Sequence, residues 1–238
     1  MKIGLKNKMP GRLAIFTDTV FKKELSEIFG SFKDNIGELK PMYNIPPNTQ
    51  IPIFYNNTYT YASFGLIPSW AKDNKNININ ARCETLYEKS SFRESFKSKR
   101  CLIPINGWYE WKEKYDQKIP YLINPKKRKS FICAGLYEKW YDNNSKKTIL
   151  SVALITTEPN EKVGSIHDRM PVILEKEDWL VWLDEKSSLD TLNKLFKLYP
   201  DENIDLREVS YLVNKVSNNN INCIKEDTTK QFIKTTLF

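Results

Sequence analysis

A carboxylate flanked by large aromatics is the first place in this chain where chemistry could be done. In Gly107-Trp108-Tyr109-Glu110-Trp111, a strand would turn Tyr109 and Trp111 to one face and Glu110 to the other. If that second face is inward, Glu110 is a desolvated acid whose pKa rises toward neutrality, suited to giving and taking protons. An edge strand with Glu110 in solvent fits the same pattern, so both readings stand. The single histidine of the chain, His167, lies in Ser165-Ile166-His167-Asp168-Arg169-Met170-Pro171. It follows an apolar strand ending Ile155-Thr156-Thr157, and strand-end turns are where scaffolds present catalytic groups; a structural histidine is the alternative. A third polar group, Asn80, opens an expected Asn80-Ala81-Arg82 turn.

Several other chemistries are excluded. Cys83, Cys101, Cys133 and Cys223 are widely spaced and form no CxxC pair. With one histidine, this argues against zinc, and in a reducing compartment against disulfides. With 8 glycines and no GxGxxG, Walker or GxSxG pattern, neither a nucleotide cofactor nor a serine-hydrolase elbow is indicated. No metal and no cofactor are expected.

The elements that must position these groups read as follows. Arg12–Thr17 is expected as a buried strand and Thr19–Phe29 as a helix capped by Thr19, with Gly30 as its stop. The proline-rich stretch 41–50 reads as a loop, and segments 51–55 and 58–67 as a hairpin turned by Asn56-Asn57. Ser91-Phe92-Arg93-Glu94 fits a capping box. Strands are expected at Cys101–Ile105, Gly107–Glu113, Ile119–Ile123, Phe131–Tyr137, Thr148–Thr156 and Glu208–Val213. Helices are expected at Lys176–Asp184 and Leu189–Leu198. Strands outnumber helices and are joined by short turns, which points to an α+β domain with a largely antiparallel sheet.

Composition narrows the partners. The formal net charge is +8 over 238 residues, which suits a polyanion. Part of it lies in Lys97–Arg100 and part in Lys126–Lys129, the latter expected at a hairpin tip. No apolar run approaches the roughly 20 residues of a membrane span, and no signal-peptide pattern opens the chain. A cytoplasmic protein with no membrane partner is expected.

Taken together, these stretches resemble the SOS-response-associated peptidase (SRAP) family, whose members shield abasic sites in single-stranded DNA. The matching pieces, in order, are Gly11-Arg12, Tyr43–Pro47, Phe64–Asp73, Asn80–Thr85, Phe92-Arg93, Arg100–Pro104, Gly107–Trp111, Thr156-Thr157 and Ile166–Val172. A weaker echo falls at Val213-Asn214. The resemblance implies a single compact SRAP-like domain over 9–238, preceded by an extension at 1–8, with a curved, mainly antiparallel sheet, peripheral helices and a basic groove. It implies single-stranded and abasic-site DNA as partners, association with the nucleoid when bound to DNA, and a monomer. By the same resemblance, Asn80 would orient the amine or the sugar, Glu110 would move protons, and His167 would bond the sugar hydroxyl oxygen or assist proton transfer. Arg12, Asn44, Arg82 and Arg169 match positions expected to meet phosphates. Trp70 and Trp111 match residues that wedge against bases.

One departure matters for the chemistry. In the family, a cysteine follows the initiator methionine; its α-amine forms a Schiff base with the abasic aldehyde and its thiol closes a thiazolidine. Here the corresponding run is Met9-Pro10-Gly11-Arg12. Were Pro10 the free N-terminus, its secondary amine would form an iminium that activates β-elimination, with no thiol to trap the product. Were it internal, its nitrogen would be an amide without nucleophilicity. Cys83 lies near Asn80 in sequence but carries no α-amine and reads as a small buried residue. A non-catalytic module for single-stranded or junction DNA is the alternative function; proteolysis lacks a nucleophile or metal in this reading.

Overall fold

The computed structural model describes residues 11–114 and 116–226; Pro10 and the 1–8 extension lie outside them. In chain order the strands are β1 (Leu13–Ile15), β2 (Lys33–Asp34), β3 (Met42–Ile45), β4 (Gln50–Tyr55), β5 (Thr58–Phe64), β6 (Asn80–Arg82) and β7 (Arg100–Ile105). They continue as β8 (Gly107–Lys114), β9 (Gln117–Pro125), β10 (Phe131–Asp142), β11 (Lys147–Thr157), β12 (Met170–Pro171) and β13 (Ile204–Glu208). The α-helices are α1 (Thr19–Phe29), α2 (Arg93–Ser98), α3 (Glu161–Gly164), α4 (Trp179–Leu183) and α5 (Leu189–Asn193).

These strands build a 5-stranded sheet, β13-β9-β8-β1-β3, and an 8-stranded sheet that closes on itself, because β11 pairs with both β10 and β5. The expected curvature is thus carried to closure, through β10, β7, β4, β5 and β11. Closure removes the open edges that a sheet of this size would otherwise have to protect. Ile53, Phe64, Ile103, Cys133 and Leu154 from the barrel share one core with Leu13, Trp108 and Ile123 from the smaller sheet. The barrel's other face carries α1, α2 and α4 through Phe21, Phe96, Trp179 and Trp182. The chain has the α+β fold expected from its sequence.

Local chemistry explains the agreements and the differences. Asn56 and Asn57 join β4 to β5 with φ of 44° and 52°, the left-handed pair that a tight hairpin turn requires and that Asn tolerates. Helix α1 has its expected bounds, but Asp18 is its N-cap residue and supplies no side-chain cap bond. The expected capping box at Ser91–Glu94 is likewise absent: α2 begins at Arg93, with Phe92 in the N-cap position and no side-chain cap. The first strand is Leu13–Ile15, shorter than Arg12–Thr17. The stretch 41–50 contains β3, which pairs with β1. Asn80–Arg82 is not a turn but β6, parallel to β11.

The final strand ends where it was expected to begin, at Glu208. Its ladder with β9 finishes with the Val209 N–H on the Pro120 carbonyl; proline has no N–H to return, and Ser210 then caps a 3-10 turn at Tyr211–Asn214. Helix α5 stops at Asn193, after which single-turn bonds carry the chain through Phe196. Lys126–Lys129 is not a hairpin tip, since β9 and β10 belong to different sheets and this segment crosses between them.

Candidate functional site

Strand β8 places Glu110 as its parity requires. Trp108 faces the shared core, its ring 5.5 Å from Phe131, and Glu110, two residues on, shares that face. Tyr109 and Trp111 point oppositely, into a small cluster with Val213 and Cys223. Glu110 is 0% exposed, and neither of its oxygens has a hydrogen-bond partner among the described residues. Burial pushes its pKa well above the ordinary carboxylate value, and the negative charge of Asp168 adds to the shift. The inward alternative of the sequence reading therefore holds, and burial favours the protonated form of the acid.

Asn80 and His167 come from the barrel, and Asp168, next to His167, is close enough to Glu110 for its charge to act there. Strand β6 lies beside the C-terminal half of β11, with Asn80 opposite Leu154 and Arg82 opposite Thr156. Because Leu154 faces the shared core, its register partner Asn80 takes the same face. Thr156 and Thr157 pair in turn with Pro171 and Met170 of β12, and the His167-Asp168-Arg169 turn leads directly into that strand. The His167 side chain is 19% exposed, with Nδ1 3.0 Å from Asp168 Oδ1. The same Nδ1 lies 3.2 Å from the Arg169 backbone N–H. A neutral Nδ1 accepts from Arg169, and a protonated one donates to Asp168. Either way the turn occupies Nδ1, and Nε2 is the atom left to meet a ligand.

The remaining expected residues divide by how the fold uses them. Trp70 is 64% exposed, on a loop pinched at its base by reciprocal bonds between Leu66 and Asn78. That loop lines a cleft of about 600 Å³ with Lys72, Lys75 and Asn76 on its rim. Arg82 is also exposed. Arg169, by contrast, gives its fork to Glu84, Nη1 to Oε1 at 2.7 Å and Nη2 to Oε2 at 2.8 Å, with a further bond to the Thr156 carbonyl. This bidentate bond holds the Glu84 carboxyl below the usual range.

Arg12, Asn44 and Trp111 form one network. Arg12 Nη1 bonds Asn44 Oδ1 at 2.6 Å and the Val213 carbonyl at 2.9 Å, and its guanidinium lies 5.6 Å from the Trp111 ring centroid. Asn44 is 2% exposed. Its amide nitrogen lies 3.1, 3.1 and 2.7 Å from the carbonyls of Val213, Lys215 and Asn218. Its side chain thus braces the chain internally rather than reaching out. Tyr109 N–H bonds the Arg12 carbonyl, so the antiparallel register of β1 on β8 directs the residue before Arg12 toward Glu110.

Sequence reasoning missed Glu84, Asp168 and the C-terminal asparagines. Glu84 and Arg169 are 85 residues apart, and no local pattern joins them. Asp168 was legible only as a neighbour of His167. Cys83 is half-buried rather than buried, and burial raises its thiol pKa, which disfavours the thiolate needed for a nucleophile.

Comparison with known proteins identifies the family of the chain. The family model described as SOS response associated peptidase (SRAP) matches residues 9–216. The chain is 44% identical over 191 residues to the abasic site processing protein YoqW of Bacillus subtilis, covering 77% of this chain and 85% of that one. It is 40% identical over 222 residues to YoaM of the same organism, covering 89% and 95%. With abasic site processing protein HMCES of Xenopus tropicalis it shares 30% over 221 residues, covering 78% and 66%. A solved protein structure from Bacteroides thetaiotaomicron superposes with a TM-score of 0.80 at 26% identity, covering 91% of this chain and 98% of that one. The chain belongs to the SOS response associated peptidase family.

Proposed function

From that membership and the site's geometry, we propose that this protein binds single-stranded DNA at abasic sites, with the lesion sugar seated over Glu110. The observation that carries the reading is the buried, unpartnered carboxyl of Glu110, beside the turn that presents His167. A carboxyl held protonated gives its proton to the hydroxyl of a carbinolamine so that water can leave, and the resulting carboxylate takes a proton back when the adduct reverses. Asn80 and His167 Nε2 would orient the opened sugar. Trp70 would stack on a neighbouring base, and Arg82, Arg12 and Arg169 would follow the phosphates, Arg169 after exchanging Glu84 for phosphate. The names of its relatives point to the same lesion.

A covalent step in this protein would differ from a thiazolidine crosslink, because Pro10 stands where the family's cysteine is expected. As a free amino terminus, Pro10 would add its secondary amine to the C1′ aldehyde and lose water to give an iminium. Removal of a C2′ proton would then expel the 3′ phosphate, and hydrolysis would release the protein. As an internal residue it would leave binding alone.

The binding claim is tested by fluorescence anisotropy with matched oligonucleotides, one carrying an abasic site and one intact, over a salt series. Tighter binding to the abasic strand is expected, with log K falling by about 0.7 per decade of salt for each phosphate contacted. Equal affinity for both strands would remove the abasic-site reading, and a flat salt response would remove nucleic acid altogether.

A further inference from the structure

Residues 210–219 form a strap closed by asparagine side chains, and it touches the residues assigned above to DNA on the smaller sheet. Asn214 Oδ1 accepts the Trp111 indole N–H at 2.6 Å. Asn218 Nδ2 bonds back to the Leu212 carbonyl at 2.8 Å, and Asn219 Oδ1 accepts the backbone N–H groups of Tyr43 and Asn44 at 2.6 and 3.2 Å. Val213 is fully buried beside Tyr109 and Cys223, which anchors the strap, and its carbonyl receives both Arg12 and Asn44. Asn214 itself is exposed. Its bond to the indole edge fixes the plane of a ring that is only half-buried and that carries Arg12 over its face.

We infer that Asn214 is a positioning residue for DNA recognition: it locks the Trp111 ring against the Arg12 guanidinium, which Asn44 and Val213 hold in place, and so fixes a cation–aromatic platform on which a nucleobase stacks. The inference rests on the DNA-binding reading proposed above. An indole has one N–H, and a ring free to rotate about its side-chain bonds must be ordered when a base stacks on it. Holding the ring beforehand removes that ordering from the binding step. Asn214 acts on the ring edge and contributes no charge, so its effect on affinity is independent of salt.

The test is a double-mutant cycle on full-length protein: wild type, Asn214→Ala, Trp111→Phe and the double variant. Each is titrated with an abasic single-stranded oligonucleotide at several salt concentrations. Phenylalanine keeps an aromatic face but has no N–H. Asn214→Ala is expected to bind about fivefold more weakly, as loss of one ordering hydrogen bond allows, with an unchanged salt slope. In the Trp111→Phe background the same substitution is expected to change nothing further. By NMR, the Trp111 indole proton of the wild type is expected to be slow to exchange with solvent and to become fast in Asn214→Ala. Equal binding by wild type and Asn214→Ala would overturn the inference. Multiplicative effects in the cycle, or a salt slope reduced by about 0.7, would overturn it too, by showing that Asn214 acts on DNA directly. A wild-type protein that binds no abasic DNA would instead overturn the proposed function, whatever the NMR shows.

Discussion

Replacing Glu110 by Gln tests the buried acid without any substrate. Burial and the Asp168 charge raise its folded pKa, while the unfolded carboxyl keeps a value near 4.3. Below about pH 4.3 both states hold the proton, and the group imposes no pH dependence. Above it the unfolded carboxyl ionises while the folded one stays protonated, so stability is lost as pH rises, until the folded pKa is passed. The slope over that window approaches about 1.4 kcal/mol per pH unit for one proton. Glutamine copies the shape of the protonated acid and cannot ionise, so Glu110→Gln removes that slope. In a domain of this size about 1 kcal/mol corresponds to about 2–4 °C in midpoint. Thermal denaturation at several values between about pH 4.5 and pH 7 is therefore expected to show the variant gaining about 3–5 °C on the wild type for each unit of the window. Two curves that run parallel throughout would mean that the folded and unfolded carboxyls titrate alike, and the proton-donor role of Glu110 would be refuted.

Trp70 stands 64% exposed, so Trp70→Ala is expected to leave the thermal midpoint unchanged while costing about 1–3 kcal/mol of single-stranded DNA affinity; anisotropy and calorimetry check the two halves. Asn44→Ala strips a donor from the Val213, Lys215 and Asn218 carbonyls, and urea unfolding is expected to show a loss of about 1–3 kcal/mol. Gly107→Ala would bring a Cβ within 2.6 Å of the Ile123 carbonyl oxygen. Backbone cannot yield there cheaply, so a destabilisation of about 1–3 kcal/mol is expected in the same assay, in the strand that carries Glu110.

What the sequence disclosed and what it hid follow the range of the interactions. The parity of Trp108, Tyr109 and Glu110 and the hairpin turn at Asn56-Asn57 are local signals, and both are found in the fold. Strand β6 is 3 residues long, too short for a period to register, and exists because β11 offers it an edge. Closure of the barrel depends on Ser151 and Val152 pairing with Ser63 and Phe64, a contact that no neighbouring residue announces. The site behaves in the same way. Glu110 and His167 stood out by residue type and Asn80 by the family resemblance, and of these the structure shows Glu110 to be fully buried. The bonds of Arg169 to Glu84 and of Asn44 to the strap were not, because both partners look like ordinary surface polar residues until the fold joins them.

The most direct test of the proposed chemistry is the intact mass of the protein after incubation with abasic single-stranded DNA and borohydride, which reduces an iminium to a stable amine. A chain beginning at Pro10 is expected to gain one reduced adduct on that residue, and Glu110→Gln to form it far more slowly. Without borohydride, no persistent crosslink is expected, since the Pro10 side chain carries no thiol to close a ring on the iminium. A stable crosslink formed without reductant, or an adduct unaffected by Glu110→Gln, would contradict the account.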